Sequence, residues 1–171
     1  RARYYMGLSY LAEGGADATE KARDIFSKLS YVDEFEEASR LNLGKIALMQ
    51  GKISTAESEL NRVLAMNPNN REVYSILGKA YFEKGLYQKS LENLLKAAEL
   101  DAGNPRTLEL LGLIYHRLKA YEKAISSFEK GLAVDRDNPV FHKELGETYL
   151  AIREMKRARE EFRLFLEKIP D

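Results

Sequence analysis

The 171-residue chain has no cysteine, which excludes a disulfide framework, a thiolate zinc site and a cysteine nucleophile without fixing a compartment. Net charge is also missing: 27 Lys+Arg balance 27 Asp+Glu, and the two signs are interspersed almost everywhere. Proteins that follow a phosphate backbone gather a basic excess on one face, so no nucleic-acid partner is expected. No apolar run approaches the roughly 18 to 20 residues that span a bilayer, so this segment should not insert into a membrane. Histidine is limited to His116 and His142, in neither an HExxH nor another metal spacing. A GxSxG elbow, a GxxxxGK[ST] loop and a GxGxxG fingerprint are all absent. Carboxylates are plentiful but interleaved with Lys and Arg at helical spacing, as in Glu154-Met155-Lys156-Arg157-Ala158-Arg159-Glu160-Glu161, which reads as a solvated, ion-paired face. The expectation is a non-enzyme with no metal and no cofactor.

What is present suffices for a folded protein. Hydrophobic residues make up 44% of the chain and charged ones 32%, so there is apolar surface for a core and polar surface to keep the other face wet. The length allows one or two domains. The chain opens Arg1-Ala2-Arg3-Tyr4-Tyr5, already inside a periodic apolar pattern and without an initiator Met, as expected of a piece cut from a longer protein.

One internal period dominates. Gly44, Gly78, Gly112 and Gly146 stand 34 residues apart, each preceded by leucine. Three residues past each glycine the column reads Ala47, Tyr81, Tyr115, Tyr149; twelve past, Ala56, Ser90, Ala124, Ala158; sixteen past, Leu60, Leu94, Phe128, Phe162. The first stretch joins through Met6-Gly7, Tyr10, Ala22 and Phe26 if three extra residues are placed in a longer loop over Glu13–Ala18.

With the glycine numbered position 8, this pattern resembles the tetratricopeptide repeat: aromatic or Leu at 4, Leu-Gly at 7 and 8, Tyr at 11, Ala at 20, Phe at 24 and Pro near 32. The resemblance covers the whole chain as one array of five units, 1–36, 37–70, 71–104, 105–138 and 139–171. Departures are scattered: Arg40 at 4, Ala47 at 11, Ser90 at 20, and Ala102 and Arg136 where Pro68 and Pro170 hold position 32. His142 falls in the position-4 packing column.

Within each unit two apolar stretches of period near 3.6, such as Leu108, Leu111, Tyr115 and then Tyr121, Ala124, Phe128, predict two amphipathic helices, A and B. Gly51 and Gly85 suit the turn between them; Lys119 and Arg153 occupy the same place in units four and five and predict a strained or different turn. Pro68, Pro105 and Pro139 mark unit boundaries. Small residues at 8 and 20 should let the two backbones approach, with the residues at 11 and 24 filling the space beside them. One hairpin cannot bury its own apolar face, so the expected fold class is all-α, a right-handed superhelical solenoid of antiparallel helix pairs.

The resemblance implies that positions 2, 5, 9, 12 and 13 of each helix A line a concave groove that meets a partner. Among these, unit one gives Tyr4, Leu8 and Leu11; unit two Leu41, Lys45, Leu48 and Met49; unit three Ser75, Lys79 and Phe82. Unit four gives Glu109, Leu113 and His116, and unit five Lys143, Glu147 and Leu150. Position 12 is a ladder of Leu11, Leu48, Phe82, His116 and Leu150, the kind of apolar run that marks an interaction site. The residues that clamp chaperone C-terminal carboxylates in one subfamily occur in no frame, so the expected ligand is an apolar or amphipathic segment of a partner protein, held in register by charges such as Lys45, Lys79, Glu109 and Lys143. The function expected is that of a scaffold or adaptor. The alternative is a structural or self-assembly spacer whose groove is filled by its own chain or by another copy.

The last helix B carries Phe162, Leu164, Phe165, Leu166 and Ile169 where stacked arrays usually close with a polar cap. Further repeats, a capping helix or another subunit should cover them, and a homo-oligomer through this helix is one form that takes. A bacterial cytoplasm or periplasm is the working expectation for location.

Overall fold

The computed structural model describes residues 1–169; Pro170, read above as a position-32 proline, lies outside them. Among the described residues there are ten α-helices, one turn of 3-10 helix (Asp33–Phe35) and no strand. The helices come in pairs: α1 (Ala2–Glu13) with α2 (Ala16–Leu29), α3 (Glu36–Met49) with α4 (Ile53–Met66), α5 (Arg71–Glu83) with α6 (Tyr87–Leu100), α7 (Pro105–Arg117) with α8 (Tyr121–Val134), and α9 (Pro139–Ala151) with α10 (Met155–Glu167). The fold class is the all-α tetratricopeptide-type helical solenoid. Residues 1–76 and residues from 77 onward form two compact units, with the boundary inside α5.

In the first unit, Ala22, Phe26 and Ile46 make a core on which Tyr4, Leu8, Tyr10, Leu11 and Leu43 pack. In the second unit Leu94 packs with Leu110, Leu111 and Ile114 in one core, and Ala124 with Phe128, Phe141, Leu145, Tyr149 and Ala158 in another. The pairs are tight because of the glycine column. A Cβ on Gly44 would stand 2.7 Å from Leu60 Cδ2, and one on Gly146 would stand 2.7 Å from Phe162 Cε1. The side chain at position 24 therefore lies in the place a larger residue at 8 would need, while position 20 closes the hairpin beside it. Ser90, a departure at position 20, is accommodated because its hydroxyl donates to the Gly78 carbonyl at 2.5 Å, which satisfies a fully buried polar group.

The tyrosine column has a partner that spacing alone did not announce. Lys21 lies over Tyr10, Lys89 over Tyr81, Lys123 over Tyr115 and Arg157 over Tyr149, with cation-to-centroid distances of 5.3–5.6 Å. Each joins helix A to helix B of one pair. Unit two, with Ala47 at position 11, has Thr55 in place of the cation. Burial also pushes the Tyr149 phenol above its ordinary pKa, so the ring stays neutral beneath the Arg157 guanidinium.

One turn reading changes, and of the strained or different turn expected at Lys119 and Arg153 the strained form is found. The extra residues of unit one do not form a longer loop: α1 ends at Glu13, Gly14 and Gly15 make the whole connection at φ 74° and 82°, and Ala16–Ala18 open α2. Two consecutive residues with positive φ reverse the chain in a shorter distance than the Glu13–Ala18 loop would use. At Lys119 and Arg153 the turn is the same as at Gly51 and Gly85, with φ of 59° and 63° against 72° and 73°. Lys119 N–H donates to His116 O at 2.9 Å and Ala120 N–H to Tyr115 O at 2.8 Å, matching Gly51 to Leu48 and Lys52 to Ala47.

Proline and asparagine start the later first helices. Pro105 and Pro139 are the first residues of α7 and α9, and the side chains of Asn104 and Asn138 accept from Thr107 N–H and Val140 N–H, each at 3.1 Å. Asn70 accepts likewise from Val73 N–H at 3.2 Å ahead of α5.

Candidate functional site

The residues assigned to a partner-facing wall all sit on first helices, and none of them is buried. They differ in how much of each side chain the fold already uses. In the first unit, Tyr4 is engaged on three sides, stacking on Phe35 at 5.6 Å, meeting Phe26 edge-on at 5.7 Å, and accepting from Asn42 Nδ2 at 3.4 Å. Leu8 and Leu11 pack on the Ala22–Phe26–Ile46 core. Leu41, Leu48 and Ser75 are half-buried, and Met49 is 65% exposed. Lys45 reaches Glu72 at 2.6 Å, tying α3 to α5.

In the second unit, Phe82 packs on the Leu94–Ile114 core and lies 5.9 Å from the Tyr87 ring, while Leu113 touches both cores. His116 is held in place. Its Nδ1 is 2.9 Å from Thr148 Oγ1, and the ring meets Tyr121 edge-on at 5.5 Å. The Thr148 hydroxyl donates to the Glu144 carbonyl at 2.7 Å, so it accepts from His116, which fixes the proton on Nδ1. Leu150 is 44% exposed.

The charges of the wall are largely spent on one another. Lys79 pairs with Glu83 at 3.7 Å, Arg106 with Glu109 at 2.7 Å, and Lys143 with both Glu144 and Glu147 at 3.1 Å. The two carboxylates hold the Lys143 ammonium above its ordinary pKa, so it stays charged. In each unit the wall therefore offers apolar side chains between internally neutralised pairs.

Two polar clusters were not singled out from sequence. Arg40 donates to Glu36 at 2.8 Å, to Glu59 at 3.0 Å and to the Ser30 carbonyl at 3.3 Å. His142 Nδ1 lies 2.8 Å from Glu161 Oε2. Both are position-4 residues facing a glutamate at position 23, where unit four has Leu108 and Ser127. A partial signal was there: in units two and five a basic side chain at 4 occurs with a glutamate at 23, although unit one has Arg3 at 4 with Ile25 at 23. Each cluster joins the two helices of one pair and is structural.

Among the described residues no group of histidines and carboxylates is placed to hold a metal ion, and no helix is long and apolar enough to cross a membrane.

A family model for the anaphase-promoting complex (cyclosome) subunit 3 matches residues 49–131. The BBSome complex member BBS4 of Bos taurus is 29% identical over 75 residues, which are 44% of this chain and 14% of that protein, so the chain spans only a small part of this curated relative. A solved structure of MamA from Desulfovibrio magneticus RS-1 superposes with a TM-score of 0.87 at 20% identity, covering 98% of this chain and 93% of that one. PilF of Pseudomonas aeruginosa gives 0.83 at 26% identity, covering 99% of this chain and 76% of that one. The fold supports a protein-interaction scaffold in general. With its 34-residue register, its glycine column closed by the position-24 side chains and this set of likenesses, the chain fits the tetratricopeptide repeat pattern and has that fold.

Proposed function

We propose that the chain is a non-enzymatic adaptor, a single array of five repeats whose first-helix wall binds an apolar or amphipathic segment of a partner protein. The observation that carries this reading is the pairing of the wall's charges. Lys45, Lys79, Glu109 and Lys143 each have an opposite charge within 4.0 Å, while Leu48, Met49 and Leu150 stay accessible between them. A ligand that needed a carboxylate clamp would want unpaired cations; an apolar helix needs a desolvated strip with a neutral rim. The unbroken spacing of Gly44, Gly78, Gly112 and Gly146 supports one continuous array.

Phe82 packs in a core, so its substitution would confuse binding with stability; Met49 and Leu150 are better probes because they are 65% and 44% exposed. The test presents the protein with a panel of amphipathic helical peptides and, beside them, acidic peptides with free C-termini, followed by fluorescence anisotropy. Binding of the amphipathic set, lost by at least tenfold in Met49→Glu/Leu150→Glu at unchanged circular dichroism, supports the reading. Binding confined to the acidic set, or unmoved by the double variant, overturns it. Failure of both sets would favour the spacer, in which the wall is filled by the chain itself or another copy.

A further inference from the structure

Unit two lacks both halves of the ring-and-cation pair that joins the two helices of every other unit. Position 11 is Ala47 in place of tyrosine, and position 19 is Thr55 in place of lysine or arginine. Nothing else in the chain takes up the space. A cavity of about 400 Å³ opens there, walled by α2 and α4 and floored by Leu43, Ile46 and Ala47 of α3. Ile46 and Ala47 are 1% and 3% exposed, so the floor belongs to the core, while Ser27, Lys52 and Thr55 on the walls are exposed. Its volume falls within the range of small-ligand sites, roughly 300–1,000 Å³.

Unit five shows what fills the corresponding place. The Tyr149 ring, 7% exposed, lies 5.6 Å from the Arg157 guanidinium, and its phenol feels the charges of Glu129 and Glu161. In unit two, Glu129, Glu161 and Arg157 correspond to Ser27, Glu59 and Thr55, and all three of these line the cavity. The cavity is thus a tyrosine site without its tyrosine. Two groups on its edge suit a phenol brought from outside. Glu59 Oε2 accepts from Arg40 at 3.0 Å, whereas Oε1 has no partner among the described residues and is left to accept a hydroxyl. Lys52 stands one helical turn before Thr55, at position 16, where the other units have Ala18, Leu86, Ala120 and Glu154. Its Nζ donates to Gln50 Oε1 at 2.9 Å and makes no ion pair among the described residues, so its ammonium is available to cover a ring as the position-19 cations do elsewhere.

We propose that this cavity receives a tyrosine side chain from a partner protein, with the ring on Ala47, the hydroxyl at Glu59 and Lys52 over the ring face. The occupant is a tyrosine because the chain itself fills the corresponding place in unit five with one, among the same positions, and because the acceptor and the cation that such a ring needs are both present and unspent. A single aromatic anchor seated in a pocket is also how protein interfaces concentrate their binding energy. None of the wall residues of α3, Leu41, Lys45, Leu48 and Met49, lines the cavity. The site is therefore separate from the first-helix wall and stands whether or not that wall binds a peptide.

The experiment titrates the 171-residue chain with p-cresol, with N-acetyl-tyrosinamide and with methylcyclohexanol, the saturated counterpart of p-cresol, and follows the methyl resonances of Leu43, Ile46 and Ala47 by NMR. Both phenols should shift these methyls saturably. Methylcyclohexanol should bind about threefold more weakly or worse, because it offers Lys52 no ring face, and Lys52→Gln should cost the phenols about two- to fivefold. Ala47→Tyr/Thr55→Lys rebuilds the pair of the other units and should abolish binding, read on Leu43 and Ile46. Should that variant lose helicity, Thr55→Trp closes the cavity from an exposed position and should block binding as well. Methyls that move with neither phenol overturn the proposal. So does equal binding of methylcyclohexanol, which would make the cavity an unselective apolar hole, or binding that survives the filling variants. Binding of p-cresol with N-acetyl-tyrosinamide excluded would reserve the site for a free phenol and overturns the partner's tyrosine as its occupant.

Discussion

The ring of Phe141 fills the space that a Cβ on Gly131 would occupy, so the glycine of α8 and the phenylalanine of α9 act as one packing unit. Gly131 is a mid-helix glycine that propensity alone would disfavour by about 1 kcal/mol relative to alanine. Here the sign reverses. Gly131→Ala drives a methyl into a ring that is 1% exposed and tilted against Phe128 at 6.5 Å, and it should destabilise the protein by about 1–3 kcal/mol. Urea denaturation of Gly131→Ala, Phe141→Val and the double variant tests this. The double variant should be more stable than the sum of the single effects allows; strict additivity would show that the two residues do not share the space.

Much of this was legible beforehand because a repeat prints the same physics several times. Gly44, Gly78, Gly112 and Gly146 announced close approach, and the helix pairs follow from them. What filled the glycines was less legible: spacing put positions 8 and 20 opposite each other, but not the fact that the position-24 side chain lies over the missing Cβ. Arg40 and His142 read as lapses in an apolar column because their partners, Glu59 and Glu161, lie 19 residues away on the other helix. The wall was legible as a set of positions only. Whether Leu8 or Met49 is free to meet a ligand depends on the core beneath, and Leu8 packs into that core while Met49 does not.

The hairpin between α7 and α8 gives a second test of close packing. Ala124 is fully buried, and the Phe128 ring takes the Cβ space of Gly112. Ala124→Leu adds volume with nowhere to go, and a loss of about 1–3 kcal/mol is expected. Ala124→Gly at the same site removes one methyl and should cost about 1 kcal/mol, from lost packing and helix propensity together. Chemical denaturation that ranks Ala124→Leu equal to the parent would rule out the close approach.

The turns at Lys119 and Arg153 hold ordinary side chains at φ of 59° and 63°. An L-residue in this region carries a steric cost of roughly 1–2 kcal/mol, offset on glycine substitution by the greater freedom of the unfolded chain. Lys119→Gly should raise stability by about 0.5–1 kcal/mol, and Arg153→Gly should do the same. The reciprocal change, Gly85→Lys, should lower it by a similar amount. Thermal melts of the three variants decide the matter, and a Lys119→Gly variant less stable than its parent would show that the lysine side chain contributes more than its backbone costs.

Arg40 tests whether a polar cluster in an apolar column supports the fold or only tolerates it. Its side chain is 9% exposed, against 21% for Glu59 and 34% for Glu36. Removing the guanidinium strands a partly buried carboxylate and the Ser30 carbonyl, so Arg40→Leu should cost about 2–3 kcal/mol, below the full penalty of a wholly buried pair because water reaches the glutamates. Unit four shows what the same place looks like without charge: Leu108 and Ser127, 5% and 8% exposed, with the serine hydroxyl donating to the Lys123 carbonyl at 2.8 Å. Arg40→Leu/Glu59→Ser copies that arrangement and should recover at least half of the loss. The readout is the urea midpoint of each variant. If the double variant is no better than Arg40→Leu, the loss comes from the Ser30 carbonyl and Glu36, and the pairing of positions 4 and 23 is incidental.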